Sequence, residues 1–203
     1  MNETDLINAA QQGDLEAFNH LVLIYQGQVY NVALRMLLDE DLAEDATQES
    51  FLAAYRGISE FRGGSLRAWL LRIVTNRCYD ELRRQKRKPQ QPLQLIENDD
   101  GEEQDDPPFL RDEHDMPEDA LARKQLEQAV QHCIEGLPGE YRSAVVLVDI
   151  QGLDYQEASQ IIKKPIGTLK SRLARARLQL QNCLQGAWEL LPVEYRLNQE
   201  GKR

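Results

Sequence analysis

Between Glu97 and Asp119 the chain carries twelve carboxylates against one cation, Arg111, together with Pro107, Pro108 and Pro117 and almost no apolar periodicity. Such a segment cannot bury enough surface to offset the entropy of ordering it. It predicts two folded modules flanking a flexible acidic linker. The 203-residue chain has 24 Lys and Arg against 34 Asp and Glu, a formal net charge of −10. This stretch takes one of the former and twelve of the latter, leaving 23 against 22 elsewhere, so the acidity belongs to the linker. Each module has roughly 75 to 95 residues, enough for a small helical core and little more. Alternating runs of Val, Ile, Thr and aromatics are few, whereas Leu, Ala, Gln, Glu and Arg dominate. The expected fold class is all-α.

In the second module, Gly152 to Leu180 holds two short helical patterns around a break. Ala158, Ile161 and Ile162 form the first apolar face, which stops at Lys163-Lys164-Pro165, because proline disfavours helical geometry in the residue before it. Thr168 then suits a new helix cap, and Leu169, Leu173, Ala176 and Leu180 recur at helical spacing. Opposite them lie Lys170, Ser171, Arg172, Arg175 and Arg177. From Lys163 to Arg177 there are six basic residues and no acid, which reads as a helix-turn-helix suited to phosphates and guanine edges.

In the first module, Phe18, Leu21, Val22, Tyr25, Val29, Val32, Ala33 and Met36 mark a core face. An acidic helix start follows, with early carboxylates at the positive end of the helix dipole. Its expected core stripe is Leu42, Ala46, Phe51 and Tyr55. Asp41, Glu44, Asp45, Gln48 and Glu49 crowd the other side, a surface able to dock on a basic partner. After the glycine-containing segment Phe61-Arg62-Gly63-Gly64-Ser65 comes a second basic patch, with six cations between Asn76 and Lys88 against Asp80 and Glu81. A loop beside it with Phe61 and Trp69 suits an unpaired nucleotide strand, although Trp69 reads more readily as core.

No apolar run is long enough to span a bilayer, and Met1 to Gly13 lacks an apolar core of signal-peptide length, so a cytoplasmic protein without membrane insertion is expected. Cys78, Cys133 and Cys183 are far apart and sit among apolar helical positions; reduced, partly buried thiols are expected. His20, His114 and His132 form no ligand set, and no metal or cofactor is expected.

The stretch DEDLAEDATQESFLAAYRGISEFRGGSLRAWLLRIVTNRCYDELRRQKRK, with LPGEYRSAVVLVDIQGLDYQEASQIIKKPIGTLKSRLARARLQL, resembles the bacterial extracytoplasmic-function (ECF) sigma factors over Asp14 to Lys88 and Leu121 to Cys183. The resemblance implies a non-enzymatic promoter-specificity subunit that binds core RNA polymerase, directs it to promoters and helps open the duplex. It implies polymerase contacts, to the clamp helices of the largest subunit and to the flap, with Asp41, Glu44, Asp45, Gln48, Glu49 and Phe51 on the clamp-helix surface. It implies minus-10 recognition by Phe61, Arg62, Gly63, Gly64 and Ser65, within a loop reaching Arg67, and by Asn76, Arg77, Asp80, Arg83 and Arg84. Minus-35 reading falls to Lys170, Ser171, Ala174 and Arg175, with Thr168, Arg172 and Arg177 nearer phosphates or partners. An anti-sigma factor is a further implied partner.

The implied domains are 1–88 (sigma region 2), 89–119 (acidic linker), 120–185 (sigma region 4) and 186–203 (tail). The family usually has Glu-Ile-Ala where this chain has Glu157-Ala158-Ser159, so looser packing is expected there, and Gly63-Gly64 suggests a less constrained loop. The linker either acts near the polymerase's nucleic-acid channels or serves as an inert tether. The tail, with Trp188, Leu190, Leu191 and Tyr195, either packs back or meets a regulator. The alternative is a helix-turn-helix regulator that binds duplex DNA unaided, although the α/β effector domain such proteins usually carry is missing. A nucleic-acid enzyme is disfavoured, since no nucleophile–base pair, metal-ligand cluster or phosphate-binding glycine loop occurs.

Overall fold

The computed structural model describes residues 2–87 and 117–185; residues 88–116 and the tail from 186, with Trp188, Leu190, Leu191 and Tyr195, lie outside the described residues. Among the described residues there is no strand, and eight α-helices occur.

Polar caps start the helices of the first module. At α1 (Glu3–Gln11) the Asp5 amide donates to Asn2 Oδ1 at 2.8 Å and the Asn2 amide donates to Asp5 Oδ2 at 3.2 Å. Asp14 accepts from the Glu16 and Ala17 amides at α2 (Leu15–Leu37), and Asp39 accepts from the Leu42 amide at α3 (Glu40–Gly57). Each carboxylate satisfies an orphan amide and meets the positive end of the helix. A short 3-10 turn, Ile58–Glu60, leads into the glycine loop. Ser65 Oγ then accepts from the Ala68 amide at 3.1 Å and opens α4 (Leu66–Arg87).

The expected α2 face is buried, with Val22 half-covered, and α4 adds Leu66, Leu70, Leu71, Val74 and Cys78 to the same core. On α3 the buried face differs from the expected stripe. Ala43, Ala46, Ser50 and Ala54 face inward, Leu42 and Phe51 are half-buried, and Tyr55 stays 39% exposed. Small side chains let α3 close tightly on α2 and α4, and close packing outweighs the larger apolar area of the other face. Buried Ser50 satisfies its hydroxyl on the Ala46 carbonyl.

In the second module α5 (Pro117–Glu135) precedes α6 (Gly139–Val145), which widens into a π-helical turn at Val146–Ile150. α7 (Tyr155–Ile162) is capped reciprocally by Asp154 and Glu157 and ends at Lys163, φ 54°. α8 (Ile166–Leu184) follows at once. Ala158, Ile161 and Ile162 from α7 and Leu169, Leu173 and Ala176 from α8 are buried together, with Leu180 half-buried. Thr168 is not the cap. The helix begins two residues earlier, after Pro165, whose carbonyl accepts from the Thr168 amide at 2.9 Å and the Leu169 amide at 3.1 Å. The ring fixes φ near the helical value just before the helix starts, and no side chain caps it.

The cysteines also depart from expectation. Cys78 is free and fully buried, but Cys133 on α5 and Cys183 on α8 are disulfide-bonded, with Cα atoms 5.7 Å apart. Fifty residues separate them, and the packing of α5 on α8 brings their last turns together.

The two modules pack against each other. α4 lies against α7, and α2 against α5 and α6. The contacts between them include polar ones: Tyr79 Oη donates to Ser143 Oγ at 2.8 Å, Arg35 to Gln131 Oε1 at 2.9 Å, and Arg142 to the Met36 carbonyl at 3.1 Å. Arg67 donates to Gln28 Oε1 at 2.8 Å on its own module, and to the Gln151 carbonyl and side chain across the boundary.

Candidate nucleic-acid interface

α8 sorts its cations into two sets. Lys170, Ser171, Ala174 and Arg175 are exposed along one face. Lys170 Nζ stands 5.6 Å from the Tyr155 ring centroid, a cation–π contact between α8 and α7. Arg175 touches Tyr141 Oη at 3.5 Å, and this contact pushes its pKa up. Arg172 instead turns back to pair with Glu140 of α6, and its side chain is only 15% exposed. Arg177 forks onto Asp149 at 2.6 and 3.1 Å, and that hydrogen bonding raises its pKa. Thr168 is half-buried and its carbonyl accepts the Ser171 hydroxyl at 2.9 Å. The first set is free to meet a groove, and the second braces α8 against the module behind it.

The glycine loop precedes α4. Gly63 and Gly64 both have φ near 90°, and no atom lies within 4 Å of where their Cβ atoms would stand. The constraint is therefore conformational, and the loop needs glycine at both positions rather than merely tolerating it. Phe61 packs on Trp69, ring centroids 5.4 Å apart, and Trp69 is half-buried over Gly57. Trp69 therefore belongs partly to the core and partly to a cleft of ≈ 430 Å³ lined by Phe61, Arg62, Gly63, Ser65 and Arg72, whose opposite wall is Glu157, Gln160 and Ile161 of α7. Along α4, Arg77, Asp80, Arg83 and Arg84 are exposed and Asn76 is half-buried. Arg83 pairs with Asp80 at 2.9 Å and Arg84 with Glu81 at 2.8 Å.

On α3, Asp41, Glu44, Asp45, Gln48 and Glu49 are all exposed, and Phe51 is half-buried. Glu49 lies 3.7 Å from Arg77, joining the acidic face to the basic face of α4. Leu52, 56% exposed, sits one turn beyond Gln48 and Glu49, and sequence reasoning overlooked it. Its spacing from those two residues was the available signal. Also overlooked was Arg142, which donates to the Glu135, Leu137 and Met36 carbonyls at 3.0–3.2 Å; burial pushes its pKa down and leaves Nε without a partner.

Fold and surfaces define the class: an all-helical, two-module protein with an acidic helix face on one module and a basic helix-turn-helix on the other. Family models for sigma-70 region 2 and sigma-70 region 4 match residues 21–88 and 127–180. The ECF RNA polymerase sigma-E factor of Haemophilus influenzae is 38% identical, over 91% of this chain and 96% of its own. The RNA polymerase sigma-H factor of Pseudomonas aeruginosa is 34% identical, over 90% and 94%. Among solved structures, the sigma factor RpoE of Bartonella quintana in complex with the anti-sigma factor NepR is 26% identical with a TM-score of 0.63, over 84% of this chain and 98% of that one. CnrH in complex with the cytosolic domain of CnrY, at 24% identity and TM-score 0.61, shares the fold over 89% and 96%. The chain belongs to the sigma-70 family, as an ECF RNA polymerase sigma factor.

Proposed function

We propose that this chain docks on core RNA polymerase through the exposed acidic face of α3, reads promoter DNA with both modules and performs no bond-making chemistry itself. Residues 1–88 act as the polymerase-binding and minus-10 module, 120–185 as the minus-35 module, and 89–119 as the tether. In α3, Asp41, Glu44, Asp45, Gln48 and Glu49 meet basic groups of the polymerase clamp helices, and Leu52 and Phe51 add apolar contact. The reading places the protein in the bacterial cytoplasm, where its template and polymerase are. In keeping with this, no described helix is long and apolar enough to cross a membrane.

The observation that carries the DNA reading is the division of α8, where Arg172 and Arg177 are held by acids while Lys170, Ser171, Ala174 and Arg175 are turned outward. These four face base edges, with Lys170 and Arg175 suited to guanine. At the other element, an extruded base enters the cleft beside Phe61 and Trp69 while Arg62, Arg72, Arg77, Arg83 and Arg84 follow the backbone. Unstacking a base costs a few kcal/mol, which pocket and phosphate contacts offset, so recognition and strand opening become one event.

α7 forms one wall of that cleft, so the packed arrangement covers the minus-10 loop from one side. An anti-sigma factor is the partner suited to hold such an arrangement. The test is run-off transcription from a fragmented genomic library, using purified core polymerase with and without the chain. Discrete new transcripts are expected. Folded protein that yields none, yet binds duplex DNA alone, would put the regulator reading in its place.

A further inference from the structure

The three thiols divide into one inert group and one pair. Cys78 is fully buried in the first module, and burial pushes its thiol up to about 12, so it stays protonated and unreactive. Cys133 and Cys183 sit in the last turns of α5 and α8; the first is 5% exposed and the second lies at the surface. An exposed sulfur beside a buried partner within bonding reach is the arrangement of an attacking thiol and a resolving thiol.

We propose that Cys133 and Cys183 are a reversible modification site for peroxides, whose oxidation state sets how firmly the helix-turn-helix module is folded. The chemistry needs no group beyond the pair and the oxidant. The Cys183 thiolate attacks hydrogen peroxide, the O–O bond breaks, and hydroxide leaves as water once protonated. This leaves Cys183 as a sulfenic acid. The Cys133 thiolate then attacks Cys183 Sγ; the S–S bond forms and a second water leaves. Two thiols lose two electrons and the peroxide gains them. A dithiol reductant reverses the step by exchange, leaving as its own disulfide.

The consequence follows from where the cross-link falls. Its ends are 50 residues apart, so the closed loop contains α6, α7 and nearly all of α8. A loop of that length removes much of the freedom of the unfolded module, which is small and has little core to spare. The bond also fixes α5 to the helix that carries Lys170 and Arg175. α5 itself reaches the first module through Gln131, which accepts from Arg35. A compartment that keeps thiols reduced holds the module in its looser form, and peroxide tightens it.

The test uses the full chain, reduced and then treated with hydrogen peroxide. Mass-tagging of the denatured protein with a maleimide is expected to count three thiols before treatment and one after, with the bond mapped to Cys133 and Cys183. The melting midpoint of the second module is expected to rise by more than about 10 °C on oxidation. C183S, at an exposed position, should fold, keep two thiols and lose the shift. C133S should let dimedone trap the Cys183 sulfenic acid; if C133S fails to fold, C183S and the thiol count still decide. Three thiols remaining after peroxide, a bond between chains instead of within one, or a bond that leaves the midpoint unmoved would each overturn the proposal.

Discussion

The packed arrangement of the two modules can be loosened at one atom. Tyr79 Oη donates to Ser143 Oγ at 2.8 Å; Ser143 is fully buried and already donates its own proton to the Glu140 carbonyl at 3.2 Å. Burial raises the Tyr79 pKa, so the phenol is the donor at any physiological pH. Tyr79→Phe deletes that donor and keeps the ring that packs on the core. A net intramolecular hydrogen bond contributes about 1 kcal/mol, so the balance between packed and separated modules should move about fivefold toward separation. Ser143→Ala should move it at least as far, because it leaves the Tyr79 hydroxyl without a partner at a half-buried position. The double variant should be no worse than Ser143→Ala alone, which gives a coupling energy of about 1 kcal/mol. Small-angle scattering reports the separated fraction as a larger mean radius of gyration, and amide exchange in α7 should quicken in step. An unchanged radius, or effects of the two substitutions that simply add, would show that this bond does not hold the modules together.

Charge reversal of Asp45 and Glu49 to Lys should weaken binding to core polymerase by about tenfold or more, read by fluorescence anisotropy; unaltered affinity would remove both from the docking face. Arg175→Ala should weaken promoter binding by about tenfold and relax specificity at one base pair, whereas Arg177→Ala should cost the module under about 1 kcal/mol of stability because its ion pair with Asp149 is largely exposed. Equal loss of Arg175→Ala on random duplex would make it a phosphate contact. Cys78 titrates near its ordinary 9.0 in the unfolded chain but is held protonated to about 12 in the folded one. Its stabilising effect is therefore complete below about pH 9 and lost as pH rises toward 12. Urea midpoints should fall across that window, and less steeply in C78A; parallel curves would refute the assignment.

The helix-turn-helix was legible because an apolar triplet, a proline break and a second apolar stripe all pointed the same way, and all the stripe residues are at least half-buried, although the cap signal at Thr168 misplaced the start of the second helix. α3 was legible in its acidic face but not in its core face. Of the expected stripe only Ala46 is buried; periodicity weighs side chains by size, whereas Ala43, Ser50 and Ala54 are buried for being small. Long-range partners were hidden in principle. Glu140 and Asp149, which hold Arg172 and Arg177, lie 32 and 28 residues upstream, and nothing in a helix-local pattern separates a cation bound to such a partner from one turned toward a groove. The disulfide was hidden for the same reason, and so was the packing of one module on the other.

On the proposed reading, with one module on each promoter element, that packing has to be undone. Elements centred near positions −35 and −10 lie about 25 base pairs apart, about 85 Å of duplex at 3.4 Å per pair. Modules joined by contacts such as Arg67 to Gln151 and Tyr79 to Ser143 cannot cover that span. Between Arg87 and Pro117 stand 29 residues, whose fully extended reach is about 100 Å. That contour length exceeds the spacing of the two elements, so on the proposed reading the chain can span them provided the interface breaks. The hydrogen bonds across the interface suit that requirement, since each has a solvated counterpart waiting in the separated state. Whatever favours separation must bind the separated form more tightly, and whatever restrains the protein must prefer the packed one. Moving a two-state balance from 1:99 to 99:1 takes about 5.5 kcal/mol of such preference, against which the Tyr79 hydrogen bond, about 1 kcal/mol, is a small part.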